Sequence, residues 1–396
     1  MSQLLISRSD TLAHLSITIR QNALLLLTAL ALGSLYMVSK GINRGKVNLT
    51  ATTTVSKSAS AIDTVNHGQF DLSALRVTKL LVHPIKSCRG TSVTEVAYTP
   101  LGLEYDRTWV IVKEDNHKMV TAREFAKTVL IHPVIHKDQG VLEVSFPADL
   151  GTESFKVPLT PDEETLQSWE VVEDINHFAK GVTGYVCESV SPASRTPSEI
   201  LSAFLGLPIL LIMQGPRLSI CNPTARHPNL DASFVFHDGY PLLVLSQESV
   251  TSLEGKVREM VGQQGIEKKW EKEELQIERF RPNIILGGAG APFVEDIIQE
   301  ISIHPSSPTD AYGEKTLEVP PTIHLVSKSP RCLLPNVSPE LGERDKAVPY
   351  KVLMKHRTGL LSAKMHKPCL GCNGVPTASG VVRLGDWVKV HKVGSV

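Results

Sequence analysis

What the chain lacks narrows it first. It has no surplus of either charge: Lys plus Arg and Asp plus Glu number 41 each, so no global field draws it to nucleic acid or to a strongly acidic partner. It has no disulfide framework, because its six cysteines are scattered along 396 residues. That usage fits reduced thiols in a protein facing the cytosol. The pair Cys369 and Cys372 has no second pair to complete a four-ligand zinc centre, and His356 and His366 are weak substitutes. Walker loops, dinucleotide fingerprints, internal repeats and flavin, haem or iron–sulfur motifs are all missing. Aromatic residues are few, at 5%. What is present is 25 prolines and many short Val/Ile/Leu runs, which point to a β-rich protein with abundant turns. The length suits two domains and a sizeable core.

One apolar run stands apart, ALLLLTALALGSLYMV at residues 23–38, with no charge inside it. As a helix it spans about 24 Å, a little short of a ~30 Å hydrocarbon core. The stretch before it contains Asp10 and is weakly basic, a poor leader for a secretory signal peptide. Lys40, Arg44 and Lys46 follow the run, against Arg8 and Arg20 before it, which places the C-terminal part in the cytosol. The expectation is a tail and signal-anchor over 1–45, with a transmembrane helix at about 22–39. A Thr/Ser/Ala-rich tether then covers 46–73. Asn48-Leu49-Thr50 matches a glycosylation acceptor, which matters only on a lumenal side.

The folded body is expected from about residue 75. Segments 76–82, 108–113, 141–146 and 154–159 read as strands between Pro, Gly and Asp, the spacing of a small barrel or sandwich of about 110 residues. Residues 197–206 read as a capped helix ended by Gly206 and mark the joint. Beyond it, 209–213, 242–245, 282–286, 300–304, 322–326 and 388–390 read as strands. Ser246 caps an amphipathic helix whose stripe is Val250, Leu253, Val257, Met260 and Val261. The run EKKWEKEE at 267–274 reads as a solvated face.

Four polar clusters sit at the ends of these strands, where a scaffold can hold them rigid. His83-Pro84-Ile85-Lys86-Ser87-Cys88-Arg89-Gly90 joins Lys, Ser and Arg before a glycine, a plausible anion grip. Asp106-Arg107-Thr108-Trp109 puts an arginine at a strand start. Arg279-Phe280-Arg281-Pro282-Asn283 and Ser329-Pro330-Arg331-Cys332 follow. A cysteine beside guanidinium groups suits nucleophilic work or a soft metal; the bland alternative is a small packed residue. Cys88 divides between lining a cleft and simple packing.

In this order, LVHPIKSCRG, GLEYDRTWVIV, MVTAR, HDGYPLLVLSQESV, RFRPNIIL, VSKSPRCLLPNVSPELG and GVVRLGDWVKV resemble the MOSC-domain family, in particular members with an N-terminal MOSC β-barrel domain such as the mitochondrial amidoxime-reducing components. The resemblance runs from about residue 75 to 393. It implies a mainly β (α+β) fold: an N-terminal MOSC β-barrel domain at 74–196, then a MOSC β-barrel domain at 197–396 with a few helices. It further implies a molybdenum cofactor, Mo-molybdopterin, between the two. Cys332 matches the metal-ligating cysteine. Lys86, Ser87, Arg107, Arg281 and Asn283 match positions that grip the cofactor, with Arg331 as a phosphate or pterin contact. Asp238 matches an acidic residue near the metal that could help deliver protons. Two positions depart from the family: Pro330 stands where Ser or Thr is usual, and Ser338 where many members have Asp.

The implied activity is reduction of N-hydroxylated compounds by oxygen abstraction at molybdenum. The implied electron donors are cytochrome b5 and its NADH-dependent reductase, at the mitochondrial outer membrane rather than the endoplasmic reticulum. The alternative is a cofactor carrier or sulfur-transfer protein, since MOSC domains also end the molybdenum cofactor sulfurases. Those proteins place a long pyridoxal-phosphate domain ahead of the MOSC unit, where this sequence shows an anchor and a linker. A third reading is a non-enzymatic scaffold, against which the intact Lys86, Arg107, Arg281 and Cys332 set argues.

Overall fold

Seven β-strands with alternating or fully apolar patterns close on themselves. The structure is a computed structural model that describes residues 70–177, 180–190, 195–305, 320–361 and 366–394. Round the ring, Arg76–Val82 pairs antiparallel with Ile284–Gly287, which pairs parallel with Leu242–Ser246. Cys369–Pro376, Thr322–Pro330, Ile298–His304 and Trp387–Val393 follow, each antiparallel to the last. The ring closes where Trp387 stands opposite Arg76. Closure leaves no edge strand exposed for adventitious pairing.

Leu75, Val77, Leu80, Leu242, Val244, Ile284, Leu286, Ile298, Ile301, Ile323 and Leu325 form one core cluster in the barrel. They are nearly or wholly inaccessible, and each contributes roughly 1.5–3 kcal/mol by leaving water. Six of the seven strands come from residue 242 onward, but the first, Arg76–Val82, lies far upstream. Most of the intervening chain builds a second β module between two barrel strands. Its four-stranded sheet runs Trp109–Lys113, Ile209–Gln214, Lys180–Val186, Val171–His177, and a three-stranded sheet joins His132–His136, Val141–Ser145 and Phe155–Pro158. Ile209–Gln214, although beyond the joint expected at 197–206, pairs with Trp109–Lys113 inside this module.

Four α-helices occur among the described residues. Pro197–Leu205 starts with a reciprocal capping box between Thr196 and Glu199 and stops at Gly206, whose φ of 76° is left-handed. Its Ile200, Leu201 and Phe204 pack with Trp109, Ile111 and Leu211 in the module's core. Gln247–Glu259 is capped by Ser246 and buries Val250, Leu253 and Val257. Trp270, inside the charged run, is buried in the same cluster; that run is therefore pinned by its single aromatic.

The fold is thus mainly β with a closed barrel, as expected. The segment 23–38, the anchor helix expected at about 22–39 and the tether up to residue 69 lie outside the described residues. Among the described residues, no helix is long and apolar enough to cross a membrane.

Candidate functional site

Where the first strand leaves the barrel, it is laced to the inserted module. The Arg107 and Trp109 amides donate to the carbonyls of His83 and Pro84, and the Lys86 amide donates to the Trp109 carbonyl. The carboxylate of Asp106, wholly buried, organises this crossing. Its Oδ1 accepts the His83 amide at 2.6 Å, and its Oδ2 pairs with Arg107 Nη1 and lies 2.9 Å from His237 Nε2. Burial alone would raise the Asp106 pKa, but the Arg107 guanidinium and His237 outweigh it and hold the group well below the usual carboxylate range. His237 is shifted down by burial, against the pull of Asp106. Gly90 has its own reason to lack a side chain: a Cβ there would stand 2.4 Å from the His83 ring.

A cleft of about 500 Å³ opens beside this crossing. Its wall includes Lys86, Ser87, Arg107, Asp238, Arg281, Asn283, Arg331 and Cys332, so all eight residues singled out in the sequence meet in one place. Three of them, Ser87, Arg107 and Arg281, hold left-handed backbone at φ of 69°, 49° and 56°. For a non-glycine residue that costs about 1–2 kcal/mol each. The neighbouring hydrogen bonds sustain it: Arg107 Nη2 donates to the Arg281 carbonyl at 3.0 Å, and Arg281 Nη1 donates to the Cys88 carbonyl.

Cations crowd the cleft. Arg281 is pushed down to about 10 by burial and by Arg107. Lys86 is shifted down by burial, against the pull of Asp238, whose Oδ1 its Nζ meets at 2.6 Å. Arg331 donates to Phe280 O at 2.7 Å and to Ser329 Oγ at 3.2 Å. In the cleft wall, two buried guanidinium nitrogens have no partner among the described residues, Arg281 Nη2 and Arg331 Nε. Asp238 is also held below the usual carboxylate range: burial would raise it, and Lys86 overrides that. Its side chain nevertheless remains 79% accessible, so the ion pair with Lys86 is weakly stabilising.

The six cysteines divide sharply. Burial pushes Cys88 and Cys221 up to about 12 and Cys369 to about 11, and raises Cys187 and Cys372 as well. All five are buried, and Cys332 alone is half-exposed. Its Sγ receives the Leu334 amide at 3.5 Å. The loop carrying it is clamped by Arg279, which stacks over Trp270 and donates to the carbonyls of Pro335 and Asn336, both at 3.4 Å.

Not every expected residue offers a free group. Asn283 lies in the wall, but its Oδ1 accepts the Leu243 amide at 3.0 Å and its Nδ2 donates to Leu81 O at 3.3 Å. Its side chain brackets barrel strands. Pro330 brings no donor, and the hydroxyl of neighbouring Ser329 is engaged by Arg331. Ser338 accepts the Leu341 amide at 3.3 Å. Cys88 is packed, and only its carbonyl serves the site. Cys369 and Cys372 lie on a buried strand, and among the described residues no cluster of three or more His, Cys, Asp or Glu could hold a metal ion. Asp106, His83, His237, Arg279 and Ser329 carry much of the geometry, yet sequence reading gave them no role. Only their adjacency to Arg107, Asp238, Arg281 and Arg331 could have pointed to them.

Fold and cleft together define a class: a β protein of two modules whose joint presents surplus cation and one accessible thiol. Residues 74–188 match the MOSC N-terminal beta barrel domain and residues 231–389 the MOSC domain, and the chain belongs to the MOSC-domain family. It is 29% identical over 327 residues to human mitochondrial amidoxime reducing component 2, covering 79% of this chain and 82% of that protein. To mitochondrial amidoxime-reducing component 1 of Danio rerio it is 28% identical over 320 residues, 79% of this chain and 83% of the relative. A molybdenum cofactor sulfurase of Danio rerio is 28% identical over 300 residues, covering 74% of this chain but 32% of that longer protein.

Proposed function

We propose that the cleft holds a molybdenum cofactor and that the protein reduces N-hydroxylated compounds of the amidoxime or hydroxylamine kind. The observation that carries this reading is the meeting of surplus buried cation with the one cysteine that the fold leaves accessible. A phosphate-bearing pterin needs anion-binding donors, and molybdenum takes a soft thiolate ligand. The donor set fits such a group. Lys86, Arg107, Arg281 and Arg331 supply cationic N–H groups, two of them with unpartnered buried nitrogens; Ser87 adds a short polar wall, and Asn283 fixes the strands behind it. Cys332 offers Sγ on a clamped loop.

When bound, the cofactor supplies the two-electron chemistry that breaks an N–O bond. The residues do the rest. Arg107, locked by Asp106, and Arg281, locked by the Cys88 carbonyl, hold the anionic end at fixed positions. Asp238, ionised at neutral pH and open to the cleft, can accept and pass on a proton at a carboxylate oxygen while Lys86 steadies it. Electrons come from outside the chain in this scheme, from cytochrome b5 and its NADH-dependent reductase. A cytosol-facing position on the mitochondrial outer membrane, through the apolar run at 23–38, belongs to the same proposal.

The test is metal analysis of the purified full chain and its Cys332→Ala variant, followed by benzamidoxime reduction with cytochrome b5 and its reductase. The expected outcome is near-stoichiometric molybdenum with turnover in the parent, and turnover lower by about a hundredfold or more in the variant. Full activity in Cys332→Ala would sink the scheme. Molybdenum without turnover would favour the carrier or sulfur-transfer reading, to which the sulfurase similarity lends some support.

A further inference from the structure

The cleft has a second tier of charge. Only two acids line it, Glu124 and Asp238, and each is already paired with a lysine: Glu124 with Lys118 at 2.8 Å and Asp238 with Lys86 at 2.6 Å. The buried cations around Cys332 are engaged with backbone, with Asp106 or with Ser329. Two lining cations remain, Arg123 and Lys367. Both are exposed, and neither side chain has a hydrogen-bond or ion-pair partner among the described residues.

Their backbones are not loose. The Arg344 guanidinium donates to the carbonyls of Ala122 and Arg123, and Ala122 is buried against Val129 and Val337. Lys367 precedes Pro368, whose carbonyl takes the Arg331 amide at 2.7 Å. One side chain therefore rises from the inserted module and the other from the barrel's side, each anchored next to the segment that carries Cys332. Two cations fixed at the backbone, and outside the ion pairs of the described residues, form a receptor for negative charge.

On the reductase reading above, we infer that this rim selects substrates bearing an anionic group remote from the N–O function, with Arg123 and Lys367 as the specificity-determining residues. A small neutral amidoxime leaves both unused. A carboxylate-bearing one engages them while its N–O end reaches toward Cys332.

The test is calorimetric titration of the molybdenum-loaded protein with benzamidoxime and with 4-carboxybenzamidoxime, in low and in high salt. In low salt the carboxylated probe should bind roughly five- to tenfold more tightly. The advantage should collapse in high salt and in an Arg123→Gln/Lys367→Gln double variant. Equal affinities for the two probes, or an advantage that the double variant keeps, overturns the inference. So does loss of bound molybdenum in the double variant, which would assign these cations to the cofactor. A turnover assay separates the two readings. Selective binding without turnover leaves the rim assignment standing and removes the reductase. Turnover of both probes with equal affinity does the reverse.

Discussion

Two clusters of buried charge lie close together in the chain and behave in opposite ways. One is internal to the barrel: Asp296 Oδ2 lies 2.6 Å from Arg357 Nη2 and 3.7 Å from Lys328 Nζ, with Glu295 alongside accepting the Ser249 hydroxyl at 3.0 Å. The other is the cleft, where Lys86, Arg107, Arg281 and Arg331 share Asp106 and an exposed Asp238. The strand Thr322–Pro330 feeds both. Lys328 turns to Asp296, while the next residue, Ser329, faces the cleft, as the two-residue alternation of a strand requires. In the first cluster each cation meets an acid inside the protein. In the second, charge is left over. Unbalanced buried charge is costly unless something answers it, and that surplus is what separates a ligand site from a structural ion network.

The comparison can be broken most forcefully at Asp106. Asp106→Asn removes the one buried counter-charge of the cleft, so unfolding in urea should show a loss of about 3–5 kcal/mol. The sign with pH is fixed: the folded pKa is depressed, so the contribution is whole above the unfolded value of about 4 and fades as pH falls through the folded one. The gap between parent and variant should narrow only in acid below about pH 4. A loss under about 1 kcal/mol would mean that the cleft cations need no internal partner.

Glu295 sharpens the contrast from the barrel side. Burial and the neighbouring Asp296 push it up to about 7, so the folded state keeps a proton that the unfolded chain releases near pH 4.5. Parent stability should therefore fall by up to about 2–3 kcal/mol between pH 5 and pH 7 and level off above that. Glu295→Gln, which can still accept from Ser249, should flatten the slope. An unchanged slope in the variant would assign the titration to another group.

The smallest effect belongs to Asp238. Because its side chain is mostly solvent-accessible, Asp238→Asn should change stability by less than about 1 kcal/mol. Its consequence should appear in the pH profile of turnover, as loss of the limb that reports an ionised carboxylate. A large stability change would place Asp238 with Asp106 among the structural acids.

Much of the architecture was legible. The segment 76–82 is a strand with the same ends, and Gly206 and Ser246 end and start the helices expected beside them, because these signals are local. Cys369–Pro376 was not legible as a strand. Its two cysteines raised a zinc site that the sequence argued against, and no strand was read there; burial in the barrel wall is what makes the segment a strand. The hairpin of Val171–His177 and Lys180–Val186 was missed for a similar reason: its residues carry no clean alternation, and pairing with Ile209–Gln214 supplies what the sequence does not.

The eight candidate residues were visible as residue types at strand ends, and one cleft receives all of them. The sequence by itself determined the local elements, the inventory of cations and the presence of Cys332 beside Arg331, because each depends on neighbours within a few positions. Only the tertiary structure decided that Arg76–Val82 closes a barrel with strands more than 150 residues away. It also decided that Asn283 spends its amide on backbone, and that five of the six thiols are silenced. Those outcomes depend on burial and on partners distant in the chain, and the desolvation that sets them exists only once the modules have packed.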